Sequence, residues 1–408
     1  MVALAGASWA TPTFAADPPP AAAPSADAPP PAAPPPAAPP PADAKPADAP
    51  APATNTESMP ATKPETLPPI GVGAWLRAGS IFQKAGDPKS LGDWHMDTAY
   101  VELHAGGKIH KNVGVTLNLA SNMNSLFNPP GNGTGEGGAY VAVEDAIISF
   151  DFMDELHLWG GHLLVPVDRS NASGPFFMIP WNYPGFFAGV AAPQEGPLGR
   201  NNGAVVWGDI QGGKFSYFAG AFDNASVSQS PLFSGRFRIA LLDPEPGFWG
   251  NGSYFGDKDL FTINVGAQFQ KNGSTTAAGA KDWTDINADV LYEKKLGGGS
   301  FVTGEAGYYH YGVNDGAISD MLYVLGAFAT SPIGVGNLQP HARFQWEKVK
   351  GPSAPKPWNL DVGLAYLVKG PGLRALATFS HTDFDLPSGG TGPDSANSLQ
   401  LGAQAIFF

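Results

Sequence analysis

The stretch from Leu260 to Gln270 alternates without a break. Phe261, Ile263, Val265, Ala267 and Phe269 share one parity, and Thr262, Asn264, Gly266, Gln268 and Gln270 share the other. A β-strand has a side-chain period of two, so this segment reads as a strand with one apolar and one polar face. Val113, Val115, Leu117 and Leu119 repeat the pattern against Gly114, Thr116, Asn118 and Asn122. Leu360, Val362, Leu364, Tyr366 and Val368 form a third apolar face.

Sixteen such segments are predicted, at about 70–82, 94–106, 111–122, 139–152, 155–167, 203–211, 213–223, 234–243, 259–270, 284–295, 300–312, 319–330, 338–349, 358–369, 372–383 and 397–408. A tilted strand crosses a bilayer in about 9–11 residues, and most of these are long enough. No helical stripe lies between them. No apolar run reaches the roughly 18 residues that a transmembrane helix needs. The fold class this predicts is all-β: a transmembrane antiparallel β-barrel of about 16 strands over residues 69–408.

The connections add a second signal, because they alternate long and short. The long set includes 83–93, 123–138, 168–202, 224–233, 271–283 and 384–396; the short set includes Met153-Asp154, Gly212, 296–299 and Gly370-Pro371. Outer-membrane barrels have short periplasmic turns and longer extracellular loops. Two connections break the rule: 244–258 is long within the short set, and 313–318 is brief within the long set. A soluble β-sandwich also alternates, but its strands are usually about five or six residues long and its apolar faces turn inward. Trp94, Trp283 and Trp358 sit at the long-loop ends of their segments, where an interfacial girdle places aromatic rings.

The last segment, NSLQLGAQAIFF, ends on aromatic residues. A final strand pairs with the first to leave no edge unpaired in lipid. A terminal aromatic also resembles the signature by which such barrels are handed to their assembly machinery. The alternation groups Phe407, not Phe408, with the leucines, so either a bulge near Ile406 shifts the register or the phase differs.

Ahead of the barrel, residues 1–16 resemble the apolar core and small-residue cleavage region of a signal peptide; the basic region expected before it is missing, which reads as a truncated or a misassigned start. Residues 17–68 form a disordered Pro/Ala-rich linker that cannot bury a core and favours polyproline II. It reads as a passive spacer or as a periplasmic tether touching peptidoglycan. Charged residues are 14% of the chain, and the net charge is −13. An acidic chain of this kind is a poor partner for nucleic acid. With no cysteine, disulfides and thiolate metal sites are excluded.

The stretch AYVAVEDAIISFDFMDELHLWGGHLLVP, residues 139–166, resembles the phosphate-selective porin O and P family of Gram-negative outer-membrane channels. A strand with acidic residues and alanine precedes a tight turn and a strand closing on Gly161-His-Leu-Leu-Val-Pro166. The resemblance implies an outer-membrane porin, a homotrimer and a third long loop folded into the pore. That loop, 168–202, is unusually apolar, with Phe176, Phe177, Met178, Ile179, Trp181, Tyr183, Phe186 and Phe187. Its charges are Asp168, Arg169, Glu195 and Arg200, without the Arg/Lys cluster that a phosphate site needs. Its aromatics suit sugar stacking, a weakly polar solute or plugging; a membrane-contact or partner surface is the other reading.

If the polar parity faces a lumen, its candidates are Arg77, Glu102, His104, Arg236, Arg238, Asn264, Gln268, Asp285, Asn287, Asp289, Arg343, Gln345 and Arg374. Arg236 and Arg238 would favour anions, Asp285 and Asp289 cations, and on opposite walls they would set up a transverse field. A solvated wall without specificity is equally compatible with the pattern.

Enzyme-like patterns are weak. Gly133–Gly138 satisfies GxGxxG but opens no helix. His157 and His162 are five apart, on opposite faces of a regular strand. Gly256–Asp259 and Asn314–Gly316 read as solvated turns rather than Ca²⁺ sites. The expectation is a non-enzymatic porin in the outer membrane of a Gram-negative bacterium, with lipid as its surroundings and neither cofactor nor metal. It passes small hydrophilic solutes or ions by diffusion. The alternative is a plugged structural or binding barrel tethered by the linker.

Overall fold

The computed structural model describes residues 70–83, 91, 94–122, 140–185, 199–224, 228, 230–276, 279–312, 318–351, 354–385 and 394–407. The signal segment 1–16, the linker 17–68, Gly133–Gly138, Asn314–Gly316, Phe186, Phe187, Glu195 and Phe408 lie outside the described residues.

Sixteen strands close into one antiparallel barrel. They are β1 (Gly71–Phe82), β2 (Trp94–His110), β3 (Val113–Asn122), β4 (Tyr140–Met153), β5 (Leu156–Leu164), β6 (Arg200–Ile210), β7 (Phe215–Asp223) and β8 (Leu232–Ala240). They continue as β9 (Leu260–Thr276), β10 (Gly279–Gly297), β11 (Ser300–Tyr311), β12 (Ile318–Ala329), β13 (Asn337–Val349), β14 (Trp358–Leu367), β15 (Leu373–Asp383) and β16 (Ser395–Phe407). Every predicted segment overlaps one strand, and several strands run past the predicted bounds. The clearest difference is at 271–283, expected as a loop, where β9 and β10 extend as a hairpin.

The two faces have opposite character, in the reverse order to a soluble protein. On β9, Phe261, Ile263, Val265 and Phe269 are exposed, whereas Thr262, Asn264, Gln268 and Gln270 are buried. Val265 is 51% exposed and its neighbour Asn264 is 1% exposed. Leu76, Ile286, Val324, Val362 and Phe379 carry the apolar exterior around the wall. Such a surface would drive association in water, but in hydrocarbon it is the favourable one. Closure satisfies the backbone groups that an open sheet would leave unpaired in lipid.

β1 and β16 seal the barrel from Ala74↔Phe407 to Phe82↔Leu399 without a register shift. Phe407 therefore faces outward with Leu401, and no bulge interrupts the described strand near Ile406. Trp358 faces outward beside Phe344. Trp283 corrects the girdle expectation. It shares the inward parity of Asp285 and Asn287, is buried, and stacks on Tyr311 at 5.8 Å between ring centroids.

The short turns lie at one end of the barrel, and the loop joining β5 to β6 enters from the other. The β8–β9 connection belongs to the short-turn end, yet it spans 241–259. Its length reflects a second segment that folds inward, with Glu245, Phe248 and Ser253 buried, rather than a missed strand.

Candidate functional site

The β5–β6 loop leaves the wall at Leu164 and turns into the barrel. Val165 N–H donates to Gly199 O at 3.0 Å, closing its base. Asp168 caps a short helix, α1 (Arg169–Ser173), its carboxylate accepting from Asn171 N–H at 2.7 Å. Gly174, at φ 65°, ends that helix and releases the chain toward the far wall.

Residues 175–185 pair with no strand among the described residues, so their backbone groups need other partners. The wall supplies donors. Arg77 donates to Pro175 O at 2.9 Å and to Trp181 O. Gln404 donates to Phe176 O at 2.9 Å, Arg374 to Ile179 O at 3.2 Å and Arg343 to Asn182 O at 2.8 Å. Gln345 accepts from Gly185 N–H at 2.7 Å. Arginine suits this task because its guanidinium carries five donors in a fixed plane.

The wall is also shaped for the loop. A Cβ on Gly402 would stand 2.5 Å from the Trp181 ring, and one on Gly266 would stand 1.9 Å from Val167 O. The Arg77 guanidinium lies 3.9 Å from the Trp181 ring centroid. The described part of this loop is thus packed inside the barrel, which removes it from the membrane-contact and partner-surface readings.

The β8–β9 segment meets the loop from the other side. Arg169 donates through two nitrogens to the two oxygens of Glu245, each at 2.7 Å, and to Asn251 O at 2.8 Å. Gly250 N–H donates to Ala172 O at 3.2 Å. Arg236 reaches both segments, donating to Asp168 O and to Phe248 O, each at 2.9 Å. On the short-turn side, Glu293 accepts from Ser253 Oγ at 2.7 Å, Tyr254 N–H at 3.0 Å and Gly256 N–H at 2.7 Å. Burial alone would raise the Glu245 carboxyl, but the Arg169 charge and hydrogen bond outweigh it and hold the group at about 2. Asp168 has no ion-pair partner among the described residues. Burial, reinforced by Asp289 and Asp285 and opposed only in part by the Asn171 N–H and the Arg236 charge, pushes it up to about 8.

The lumen candidates are placed as follows. Arg77, Glu102, Arg236, Arg238, Asn264, Gln268, Asp285, Asn287, Asp289, Arg343, Gln345 and Arg374 face inward and are buried; His104 faces inward and is half-buried. Many of them hold protein rather than face open space. Arg238 donates to Ser216 Oγ at 3.0 Å and Gly247 O at 2.8 Å. Asp289 accepts from Asn264 at 2.7 Å and from Arg169 N–H at 3.1 Å. The expected field between opposite walls is corrected: β8 and β10 are separated by β9 alone, and Arg169 lies among both sets of charges. Of the loop candidates, Phe176 and Trp181 are buried, Phe177 and Tyr183 are half-buried, and Arg200 opens β6.

A second cluster went unnoticed in the sequence. The β3–β4 register shifts between Asn118 and Leu119, so two consecutive acids, Glu144 and Asp145, both lie buried in the wall. Arg200 lies 3.1 Å from Glu144 and 3.4 Å from Asp145. Asn118 donates to Asp145 at 2.8 Å and bonds His104 Nδ1 at 2.9 Å, while His104 Nε2 lies 3.0 Å from Glu102. The adjacent Glu-Asp pair was the available signal, but strict parity sends one of the two outward.

No family model matches this chain, and no curated protein sequence matches it. Solved outer-membrane proteins match its fold. OprB of Pseudomonas putida is 10% identical over 83% of this chain and 94% of its own, with a TM-score of 0.57. OmpF of Salmonella typhi, solved with daunomycin, is 11% identical over 83% of this chain and 97% of its own, at 0.53. A loop-deletion form of OmpT, an outer membrane protein of Vibrio cholerae, is 13% identical over 83% and 99%, at 0.51. The chain has the fold of Gram-negative outer-membrane barrels. Identities this low speak to fold alone.

Proposed function

We propose that this chain is an outer-membrane porin through which small hydrophilic solutes or ions diffuse passively, narrowed by the 168–202 loop. The observation that carries this reading is the reversal of faces in a closed barrel, apolar outside and polar inside, with inner-face residues of β2–β5 still partly accessible. A 16-stranded barrel is wide enough to hold water, and here two inserted segments reduce that space. A homotrimer fits the same reading; one matched structure, OmpT of Vibrio cholerae, is described as a trimer form.

The Arg169–Glu245 junction favours a second reading, a plugged structural or binding barrel tethered by the linker. Planar-bilayer recording of the purified full chain separates the two. The porin reading expects discrete, long-lived conductance steps; membrane-inserted protein that stays silent would support the plugged barrel.

A further inference from the structure

The inner wall is not closed evenly. Around β9–β13 the inward side chains are sealed: Thr262, Tyr309 and Gln339, for example, are buried. Along the short-turn half of β2–β5 they are not: His104, Thr116, Ser149, Asp151, His157 and Trp159 face inward and remain partly accessible, whereas toward the long loops Glu102, Asn118, Asp145 and Leu163 are buried. The two inserted segments border this sector. Phe176 and Phe177 each lie 5.3 Å from Trp75, and Phe248 lies 4.8 Å from Trp159, between ring centroids.

We propose that the route through the barrel runs against β2–β5 and selects small cations, an inference that rests on the porin reading. Four carboxylates line or back this sector: Glu102, Glu144, Asp145 and Asp151. The basic side chains facing them are Arg200, paired with Glu144 and Asp145, Lys108 at the short-turn mouth, and the imidazoles of His104 and His157, which carry charge only when protonated. Glu144 is 5% exposed; Arg200 pairs with its Oε1, and among the described residues its Oε2 has no hydrogen-bond partner. A carboxylate oxygen withdrawn from water without a donor is costly, and a passing cation offsets that cost. Rings of acidic side chains select cations on this principle. Arg77, Arg236, Arg343 and Arg374 keep their charge but donate to loop carbonyls, which leaves an anion fewer N–H groups to bind.

Two measurements on the full chain test this. Reversal potentials across a KCl gradient should show K⁺ preferred over Cl⁻ several-fold. The Glu102→Gln, Glu144→Gln, Asp145→Asn variant should lose most of that preference. Independently, because the native chain has no cysteine, Thr116→Cys can be labelled alone. A cationic methanethiosulfonate reagent should react there and reduce the current. A conducting chain without cation preference, or one whose current ignores the reagent at Thr116→Cys, would overturn the inference and leave the porin reading standing. A silent chain would sink both.

Discussion

Excising residues 174–184 raises the single-channel conductance several-fold and moves the selectivity toward anions. The segment crosses the lumen and is held by backbone acceptors. Its removal opens cross-section and strips Arg77 and Arg374 of the carbonyls at Pro175, Trp181 and Ile179. Arg343 loses Asn182 O but keeps Asp361, at 2.8 Å. Guanidinium groups that now satisfy protein would then face water and attract anions. The variant leaves α1 and the Arg169–Glu245 pair in place, so the effect reports on the crossing segment itself. Unchanged conductance would mean that this segment does not obstruct the route.

The second large effect is expected at the junction of the two inserted segments. Arg169→Ala leaves Glu245 buried without its bidentate partner. Removing one member of a buried ion pair typically costs about 3–5 kcal/mol. Urea unfolding from lipid vesicles should register that loss. Because both charges are buried, the double variant Arg169→Met, Glu245→Leu should recover most of it. The pH dependence follows from the Glu245 carboxyl, held at about 2 against its ordinary 4.5. A depressed carboxyl contributes stability that is fully present above 4.5 and is lost as pH falls toward 2. The junction should therefore be at full strength above about pH 4.5 and weaken steadily from there down to about pH 2, and Glu245→Gln should abolish that dependence. An additive double variant would show that the two residues do not act as a pair.

The strands were legible because period-two alternation is a local property. Leu260 to Gln270 states its two faces in eleven letters, and the barrel wall is that statement repeated. Periodicity does not say which face meets water; strand length and the alternation of loops pointed outward for the apolar one. Three features stayed hidden for physical reasons. The Glu144-Asp145 bulge breaks parity for one residue, which a strict alternation cannot represent. The 244–258 connection looked like an irregular loop, because a segment that folds inward carries no period of its own. Arg236 and Arg238 read as lumen charges, and their inward direction was recoverable from parity. Their partners, the carbonyls of Asp168, Gly247 and Phe248, depend on where two aperiodic segments travel in three dimensions. Trp283 was misplaced for a simpler reason: its position near a strand end was given weight over its parity with Asp285.

The claim beneath all of this is that the apolar parity faces hydrocarbon. It can be measured at Val265 through the single cysteine of Val265→Cys. That cysteine carries an environment-sensitive fluorophore in vesicles containing doxyl-labelled lipid. The account predicts a blue-shifted emission quenched by the lipid label and insensitive to aqueous iodide. Emission quenched by iodide and untouched by the lipid would contradict it.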